Sequence, residues 1–199
     1  FARADTMNLP ATACSPLPPP RNGIRGRQGF AGYPFEPRII WTIDADGAFW
    51  CANTDEYRIR RFAFGATTHE RELTLPNQPR IPIPNAERDS AIRALEEFLT
   101  RIGGATDPWD KGSVKRDIGP LQGFTADDQG RLWVLRELPG RRFEFDVWDR
   151  AGRRLAVVPV QARRSHAPII RIRGDRLALL TEDDDDVPVV VVHRIVVTP

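Results

Sequence analysis

The most concentrated group of charged side chains in the sequence is an acidic run near its C-terminal end. Glu182 is followed directly by four aspartates, Asp183–Asp186. Carboxylate oxygens bind Ca²⁺, which takes about six to eight oxygen ligands, but an EF-hand loop spaces its ligands around a glycine that this run lacks. Runs of like charge are usually hydrated. The sequence therefore favours a solvated hairpin tip over a calcium site, and it suggests no other cofactor.

The residue types that most often carry metal or nucleophile chemistry are scattered along the chain. The three histidines, His69, His166 and His193, show no spacing typical of a zinc site. No serine lies in a GxSxG nucleophile motif. The glycine-rich stretch 23–29 neither follows a predicted strand nor opens a predicted helix, so it does not qualify as a phosphate-binding loop. The sequence indicates no catalytic residue and leans against an enzyme.

Cys14 and Cys51 are the two cysteines of the chain. Two cysteines fit no metal-site spacing, and one possible disulfide does not make a disulfide-rich scaffold. We expect two unconnected thiols rather than a disulfide. On that expectation, the cysteines say nothing about the compartment.

The composition is that of a globular chain with a substantial core. Of its 199 residues, 41% are hydrophobic and 28% charged. No stretch reaches the ~18 consecutive apolar residues of a membrane helix. The net charge of +2 is too small to imply a nucleic-acid partner. We therefore predict no transmembrane segment and no nucleic-acid binding.

Short β-rich runs alternate with tight turns from residue 38 onward, a pattern typical of antiparallel meanders. The first group of predicted strands is Arg38–Asp44, Ala48–Ala52, Tyr57–Phe64 and Glu70–Leu75. The second is Leu121–Ala126, Arg131–Leu135, Arg142–Trp148 and Arg153–Val160. The third has three strands, Pro168–Ile172, Arg176–Leu180 and Val187–Val197. The corresponding units span 38–76, 121–161 and 166–199.

Two further segments separate or precede these units. Residues 1–37 are rich in proline and glycine, which predicts an irregular connection with at most one short edge strand. Residues 77–120 form an insertion in which apolar residues recur at helical spacing from Ile92 to Ile102. With Asn85 as the expected cap and a glycine pair as the stop, this pattern predicts a helix near 85–102.

The turn before the second strand carries a repeated signature. It reads DADGAFW over Asp44–Trp50 and DDQGRLWV over Asp127–Val134, and Phe145–Gly152 (FDVWDRAG) ends in a related turn. Units of ~40–50 residues with such turns are typical of propeller blades. The chain resembles the six-bladed β-propeller superfamily, in particular bacterial proteins with NHL-like repeats.

The resemblance implies an all-β fold: a partial β-propeller of about three four-stranded antiparallel blades, the last incomplete, with one inserted helix. Three blades do not close a ring, so the chain corresponds to about half of a propeller, apparently its C-terminal half. We therefore expect missing blades or self-association, and a stable, cooperatively unfolding monomer would contradict this. The resemblance also implies a secreted, periplasmic or lipoprotein setting.

Two classes of function remain open at this point. The first is a binding or scaffold module for a small-molecule, glycan or peptide ligand. The alternative is a hydrolase or lactonase-like enzyme, in which the resemblance implies a metal held by Glu, Asn and Asp in the central channel. Asp44 and Asn53 have suitable side chains, but a role in turns fits them equally well.

The tryptophans also allow two interpretations. Repeated aromatics usually pack between neighbouring blades, so Trp41, Trp50, Trp133 and Trp148 are predicted to be core residues rather than a sugar-stacking platform. Trp109 lies in the insertion and is expected to anchor it.

One face of the propeller is the candidate ligand-binding rim. In a propeller, the loops between second and third strands and the connections between blades emerge on the same side. Function tends to lie on loops held by a rigid scaffold. The candidate ligand-binding residues on this rim are Glu56, Tyr57, Arg141, Arg142, His166, Glu182, Asp183 and Asp184.

Overall fold

Antiparallel strands are the predominant regular structure in the computed structural model, which describes residue 14 and residues 24–105, 109–160, 169–182 and 187–196. A hairpin of β1 (Ile24–Gly26) and β2 (Gly29–Ala31) comes first. Blade 1 follows, with strands β3 (Ile39–Ile43), β4 (Phe49–Asn53), β5 (Arg58–Phe62) and β6 (Arg71–Thr74). The insertion contains β7 (Ile81–Pro82), α1 (Asn85–Arg101), a 3-10 turn at Lys111–Ser113 and β8 (Asp117–Ile118). Blade 2 contains β9 (Leu121–Ala126), β10 (Leu132–Leu138), β11 (Arg142–Trp148) and β12 (Arg154–Val160), and blade 3 contains β13 (Ile170–Arg173), β14 (Arg176–Glu182) and β15 (Pro188–Arg194).

The three blades are arranged as in a β-propeller. In each blade the strands pair in chain order, so that every blade is an antiparallel meander. The first strands lie side by side, with β9 in contact with both β3 and β13. The predicted fold class, a partial propeller with one inserted helix, is therefore confirmed. Blades 1 and 2 have four strands, and the described part of blade 3 has three.

Two apolar cores join the blades. The core between blades 1 and 2 includes Trp50, Ile59 and Trp148, and the core between blades 2 and 3 includes Trp133 and Phe145. Trp50, Trp133 and Trp148 are thus core residues, as predicted. The prediction is wrong for Trp41, whose surface is 62% exposed.

Trp41 is exposed because it lies on the outer side of blade 1. Side chains alternate across a strand, and Ile40, its neighbour on β3, packs against the core shared with blade 2. Trp41 therefore points away from blade 2. On this outer side of blade 1 it stacks on Phe49, with ring centroids 5.9 Å apart.

Repeated aspartates bind the turn to the tryptophan that follows it. Asp44 accepts hydrogen bonds from the backbone N–H groups of Asp46 and Ala48 and from Trp50 Nε1, the last at 2.9 Å. Asp127 accepts from two backbone N–H groups of its own turn and from Trp133 Nε1 at 2.9 Å. The signature therefore orients the aromatic ring that each blade packs against its neighbour.

The inserted helix begins differently from the prediction. Its N-cap is Pro84, and Asn85 is the first helical residue, with no side-chain cap. The predicted stop is confirmed. Gly103 has φ +86°, and its N–H donates to the Thr100 carbonyl while Gly104 N–H donates to the Leu99 carbonyl at 2.8 Å. This pair of bonds is a Schellman motif, which favours glycine.

The hairpin β1–β2 covers one side of α1. Ile24 and Ala31 pack on Leu95 and Leu99, with Trp109 at the margin of the same cluster. Trp109 therefore anchors the insertion, as expected. Two paired strands occupy a segment for which at most one edge strand is predicted, because burial against α1 compensates for a sequence of weak strand propensity.

Cys14 and Cys51 form a disulfide, so the prediction of two unconnected thiols is wrong. The sequence spacing does not reveal this pairing because it depends on the tertiary fold, which brings residue 14 onto the outer face of blade 1. Cys51 is fully buried there, next to Phe62. In the chain-entropy account, closing a loop of this length contributes roughly 3–4 kcal/mol of stability.

Within the described part of the chain, no helix combines the length and the apolar character that crossing a membrane requires.

Candidate functional site

A cleft of about 280 Å³ lies where blade 1, blade 2 and α1 meet. We call it the interblade cleft. Its walls are the segment 33–38, Thr54 and Asp55 from the loop after β4, Ala91 from α1, Ile118 from β8, Gly119, and Leu121 and Gln122 at the start of blade 2. It therefore lies among the loops and the insertion that the sequence assigns to the rim.

The segment 33–38 (YPFEPR) forms the longest wall of the cleft. Pro34 and Pro37 fix two of its φ angles near −65°. Phe35 has φ +62°, a left-handed conformation that bulky residues rarely adopt and that costs of order 1 kcal/mol. Such conformations persist where the surrounding structure enforces them. The wall is consequently preorganised.

Glu36 presents a carboxylate oxygen with unused acceptor capacity. Its Oε1 atom is buried, and it accepts no hydrogen bond from any described residue. A buried acceptor without a donor costs roughly 1–3 kcal/mol, and more when the group is charged. Glu36 also lines the cleft, so a side-chain rotation that exposes Oε1 would let a bound molecule supply the missing donor.

Arg38 ties the cleft wall to both blades. Its backbone N–H donates to Thr54 Oγ1 at 3.0 Å, and its Nη2 donates to the Gln122 carbonyl at 3.3 Å. Thr54 N–H donates in return to the Arg38 carbonyl. Burial lowers the pKa of the Arg38 guanidinium. The hydrogen bond to Gln122 holds the Arg38 side chain in the cleft lining, to which Glu36 also belongs.

Asp55, on the opposite side of the cleft, is already paired. It lies 2.8 Å from Arg80 Nη2 and 3.3 Å from Lys115 Nζ. Burial alone would raise the pKa of its carboxyl, but the hydrogen bond from Arg80 and the charge of Lys115 hold that pKa below its ordinary value. Asp55 is therefore ionised and compensated, which leaves Glu36 as the carboxylate with spare acceptor capacity in the lining.

Gly119 closes the floor of the cleft by a backbone contact. A Cβ atom at this position would lie 2.1 Å from the Thr54 carbonyl oxygen and 2.6 Å from Asp55 Cα. Both are backbone atoms that a side-chain rotation cannot move. A glycine is thus required where blade 2 approaches the loop of blade 1.

A buried polar cluster lies between the same two blades. Trp148 Nε1 donates to the Tyr57 hydroxyl at 3.0 Å. Asp146, fully buried, pairs with Arg154, and its Oδ2 lies 3.1 Å from Arg136 Nε without the alignment of a hydrogen bond. Burial, together with the charge of Asp146, raises the pKa of Tyr57. The cluster joins β10, β11 and β12 of blade 2 to the loop of blade 1 that also lines the cleft.

The sequence-predicted site residues take different positions. Glu56 is exposed and lies 3.8 Å from Arg58. Tyr57 is 5% exposed and belongs to the core, so its polar group serves the blade interface. Arg141 pairs with Glu87 of α1, and Arg142 is exposed at the first position of β11.

The remaining predicted site residues are His166, Glu182, Asp183 and Asp184. Glu182 ends β14. His166, Asp183 and Asp184 lie outside the described residues, so their assignment to the rim stays a prediction. In the described part of the chain, only the Arg141–Glu87 pair brings a predicted site residue against the insertion.

The residues that form the cleft were not singled out by the sequence. Glu36 and Arg38 fall in or beside the proline-rich segment 1–37, whose composition suggests a surface connection. Two prolines spaced three residues apart around Phe35 and Glu36 are the one local sign of a rigid wall. Gly119 precedes a proline and a buried strand, which gives no sign of its backbone contact.

A metal site is not formed by the described residues. No group of three or more His, Cys, Asp or Glu side chains in that part of the chain is positioned to hold an ion. Asn53 Oδ1 accepts from Asp55 N–H. Hydrogen bonds from Trp50, Arg61 and the turn backbone hold the pKa of Asp44 low against the opposing effect of burial, which is the largest single influence. Asp44 and Asn53 thus have the turn roles that the sequence allows.

Comparison with solved structures gives distant similarities, of which one is described here. The crystal structure of selenomethionine-substituted virginiamycin B lyase from Staphylococcus aureus is 14% identical and aligns with a TM-score of 0.27 over 82% of this chain and 57% of that one. The chain therefore spans little more than half the length of that protein. No family model and no curated protein matches the chain. The propeller assignment rests on the blades themselves.

Proposed function

We propose that the protein is a binding module that holds a small ligand in the interblade cleft without reacting with it. The buried, unpartnered Oε1 of Glu36 supports this proposal most strongly. Buried polar groups in proteins are nearly always hydrogen-bonded, so the atom marks a place where a donor belongs. The ligand class is a small molecule or glycan unit whose hydroxyl or amino groups donate hydrogen bonds.

Three features of the cleft support binding of such a ligand. Its wall is stiffened by Pro34 and Pro37, which reduces the entropy lost when a ligand is held. Tyr33 and Phe35 line the cleft and offer apolar surface beside the carboxylate, a combination typical of ligand pockets. Arg38 offers a donor for a ligand oxygen.

The hydrolase or lactonase alternative has no supporting observation. Asp44 and Asn53 are engaged in turns, and the cleft contains Glu36 and Asp55 but no third metal-ligating side chain in its lining. The Cys14–Cys51 disulfide supports the secreted, periplasmic or lipoprotein setting implied by the resemblance, because disulfides persist in oxidising compartments.

The proposal is tested by calorimetric titration of the protein with a panel of monosaccharides and small primary amines. We expect saturable binding of at least one probe, weakened about tenfold or more by Glu36→Gln, since a charge-assisted hydrogen bond contributes roughly 1.5–3 kcal/mol. The matched control is Glu97→Gln, an exposed carboxylate on α1, which should bind as the parent does.

A second pair of variants tests whether the ligand occupies the cleft, independently of the Glu36 carboxylate. Ala91→Leu places a larger side chain into the cleft, whereas Ala94→Leu adds the same bulk to an exposed position of α1. We expect loss of binding in the first variant and unchanged binding in the second. Absence of saturable binding by every probe, or equal binding by the Ala91 and Ala94 variants, would overturn the proposal.

A further inference from the structure

The outermost strand of blade 3 has an open edge. In blades 1 and 2 a fourth strand, β6 or β12, pairs with the third strand of the sheet. Strand β15 is the third strand of blade 3, and among the residues that the structure describes none pairs with its outer side. An open edge displays unpaired backbone donors and acceptors that another strand can satisfy.

The register of blade 3 identifies the backbone groups on this edge. Ile195 N–H donates to the Asp175 carbonyl at 2.7 Å, and the register continues from Arg176↔Arg194 to Glu182↔Pro188 without a shift. Hydrogen-bonded and non-bonded pairs alternate in antiparallel strands. The N–H and C=O groups of Val190, Val192 and Arg194 therefore point away from β14, towards the open edge.

The edge has few of the features that natural edge strands use against pairing. Lysines, bulges and inward-facing charges usually protect such edges, but the centre of β15 is a run of valines with a continuous register. Val190 and Val192 are 64% and 58% exposed. Pro188 stands at the first position of the strand, where it interferes least with pairing.

The two ends of the strand carry opposite charge. At the C-terminal end, Arg176 and Arg194 lie on either side of Asp175, with Arg194 Nε 3.0 Å from its carboxylate. At the other end, Glu182 precedes four aspartates in the sequence. Two such strands side by side in antiparallel orientation bring each basic end towards an acidic end, whereas a parallel pair opposes like charges.

We propose that β15 pairs with β15 of a second copy of this chain, antiparallel and about a two-fold axis at Val191. In this register Val190 exchanges both backbone hydrogen bonds with the partner's Val192, and Arg194 N–H donates to the carbonyl of the partner's Pro188. The two blades then form one continuous sheet. Such a self-complementary contact closes on itself and gives a dimer rather than a filament.

The chain's own residues before β1 are the competing occupant. Cys14 is bonded to blade 1 and Ile24 packs on α1, so both ends of the stretch between them are held at blade 1 and the insertion, away from blade 3. A strand from residues 1–13 would make the protein a monomer with a closed edge. An extended peptide from another protein would likewise leave the isolated protein monomeric.

Sedimentation velocity over a range of protein concentrations tests the proposal. We expect a dimer of twice 22.5 kDa that dissociates on dilution. Val192→Pro removes an N–H on the open edge without removing a bond to β14, so it should give a folded monomer, whereas Val192→Thr keeps the N–H and should remain a dimer. Circular dichroism checks the fold of each variant, and Val190→Lys serves as a second edge variant if Val192→Pro does not fold.

The register has its own test. Val191→Cys places two thiols opposite each other at a non-bonded pair, where cross-strand side chains are about 4.5–5.5 Å apart, so oxidation should give a covalent dimer. Val189→Cys, displaced from the axis, should not cross-link. A monomeric parent protein at every concentration, or a dimer that persists in both Val192→Pro and Val190→Lys, would overturn the proposal.

Discussion

The two interfaces between blades differ in the kinds of interaction that they contain. On the side of blade 2 that faces blade 3, Phe145 and Trp133 meet edge to face with centroids 5.9 Å apart, in an apolar cluster that includes Ile170 and Leu179 of blade 3. Between blades 1 and 2, an apolar cluster is accompanied by the Tyr57–Trp148 hydrogen bond, which crosses the interface, and by the ion pairs of Asp146 within blade 2. The interblade cleft opens beside this second, mixed interface.

The difference teaches how a repeated fold can hold a site at one position. Apolar packing is tolerant of small shifts in register and angle, whereas hydrogen bonds and ion pairs specify distance and direction. The Tyr57–Trp148 hydrogen bond therefore constrains the orientation of blade 1 against blade 2. A constrained orientation favours the close contact of Gly119 with Thr54 in the cleft.

The largest effect is expected at the apolar interface. Phe145→Ala removes a fully buried ring, and such truncations cost about 3–5 kcal/mol of unfolding free energy. Urea denaturation measures the loss. Phe143→Leu, in the same strand, should cost less because most of the buried volume is kept. A loss below about 1 kcal/mol for Phe145→Ala would show that blades 2 and 3 do not pack as described.

An intermediate effect is expected at the mixed interface. Tyr57→Phe leaves Trp148 Nε1–H without its acceptor, and a buried unsatisfied donor costs about 1–3 kcal/mol. The matched control is Tyr33→Phe, which alters the other tyrosine of the chain at the cleft wall and should change stability by no more than about 0.5 kcal/mol. Equal losses in the two variants would contradict a special role of the Tyr57 hydroxyl.

The smallest effect concerns the aspartate that holds Trp50. Because the folded pKa of Asp44 lies below its ordinary value of 3.8, the ionised carboxylate stabilises the fold above that pH, and this contribution is lost as the pH falls through the folded pKa. Asp44→Asn keeps an acceptor for Trp50 but not the charge. We expect a loss of about 1 kcal/mol or less at pH 7, measured by urea denaturation.

The sign of this effect can be checked across pH. The stability difference between the parent protein and Asp44→Asn should shrink as the pH is lowered below 3.8, the ordinary pKa of the group. Asn53→Ala, which alters a neighbouring turn without a charge, should show a constant difference over the same range. A stability difference between the parent and Asp44→Asn that grows as the pH is lowered would contradict a lowered pKa of Asp44 in the folded protein.

Local patterns were sufficient for most strands. The predicted bounds Leu121–Ala126 and Arg142–Trp148 coincide with β9 and β11, because alternation and glycine turns are properties of adjacent residues. Strand β10 extends to Leu138, beyond the predicted end at Leu135. Arg136 and Glu137 appear as a polar strand end in the sequence, but both continue the strand, in which Arg136 pairs with Glu144 of the adjacent β11.

The same local patterns did not predict the residues of the interblade cleft. Glu36 is significant because its Oε1 is buried without a donor. Its surroundings in the cleft come from four segments of the chain, which local sequence patterns do not bring together. The contact of Gly119 with Thr54 likewise joins two blades. Sequence periodicity reports which side of a strand is buried, but it does not report which distant backbone or carboxylate meets it there.

The disulfide turns the first part of the chain into a covalent ring. The bond joins residues separated by 37 positions, and the wall segment 33–38, with Glu36, lies inside the loop that it closes. Hydrolysis of a single peptide bond within this ring leaves the two fragments connected, so a protease cut there does not release the wall of the cleft. Chemical reduction, in contrast, frees one end of the ring, and the integrity of the recognition surface is thereby linked to the redox state of its surroundings.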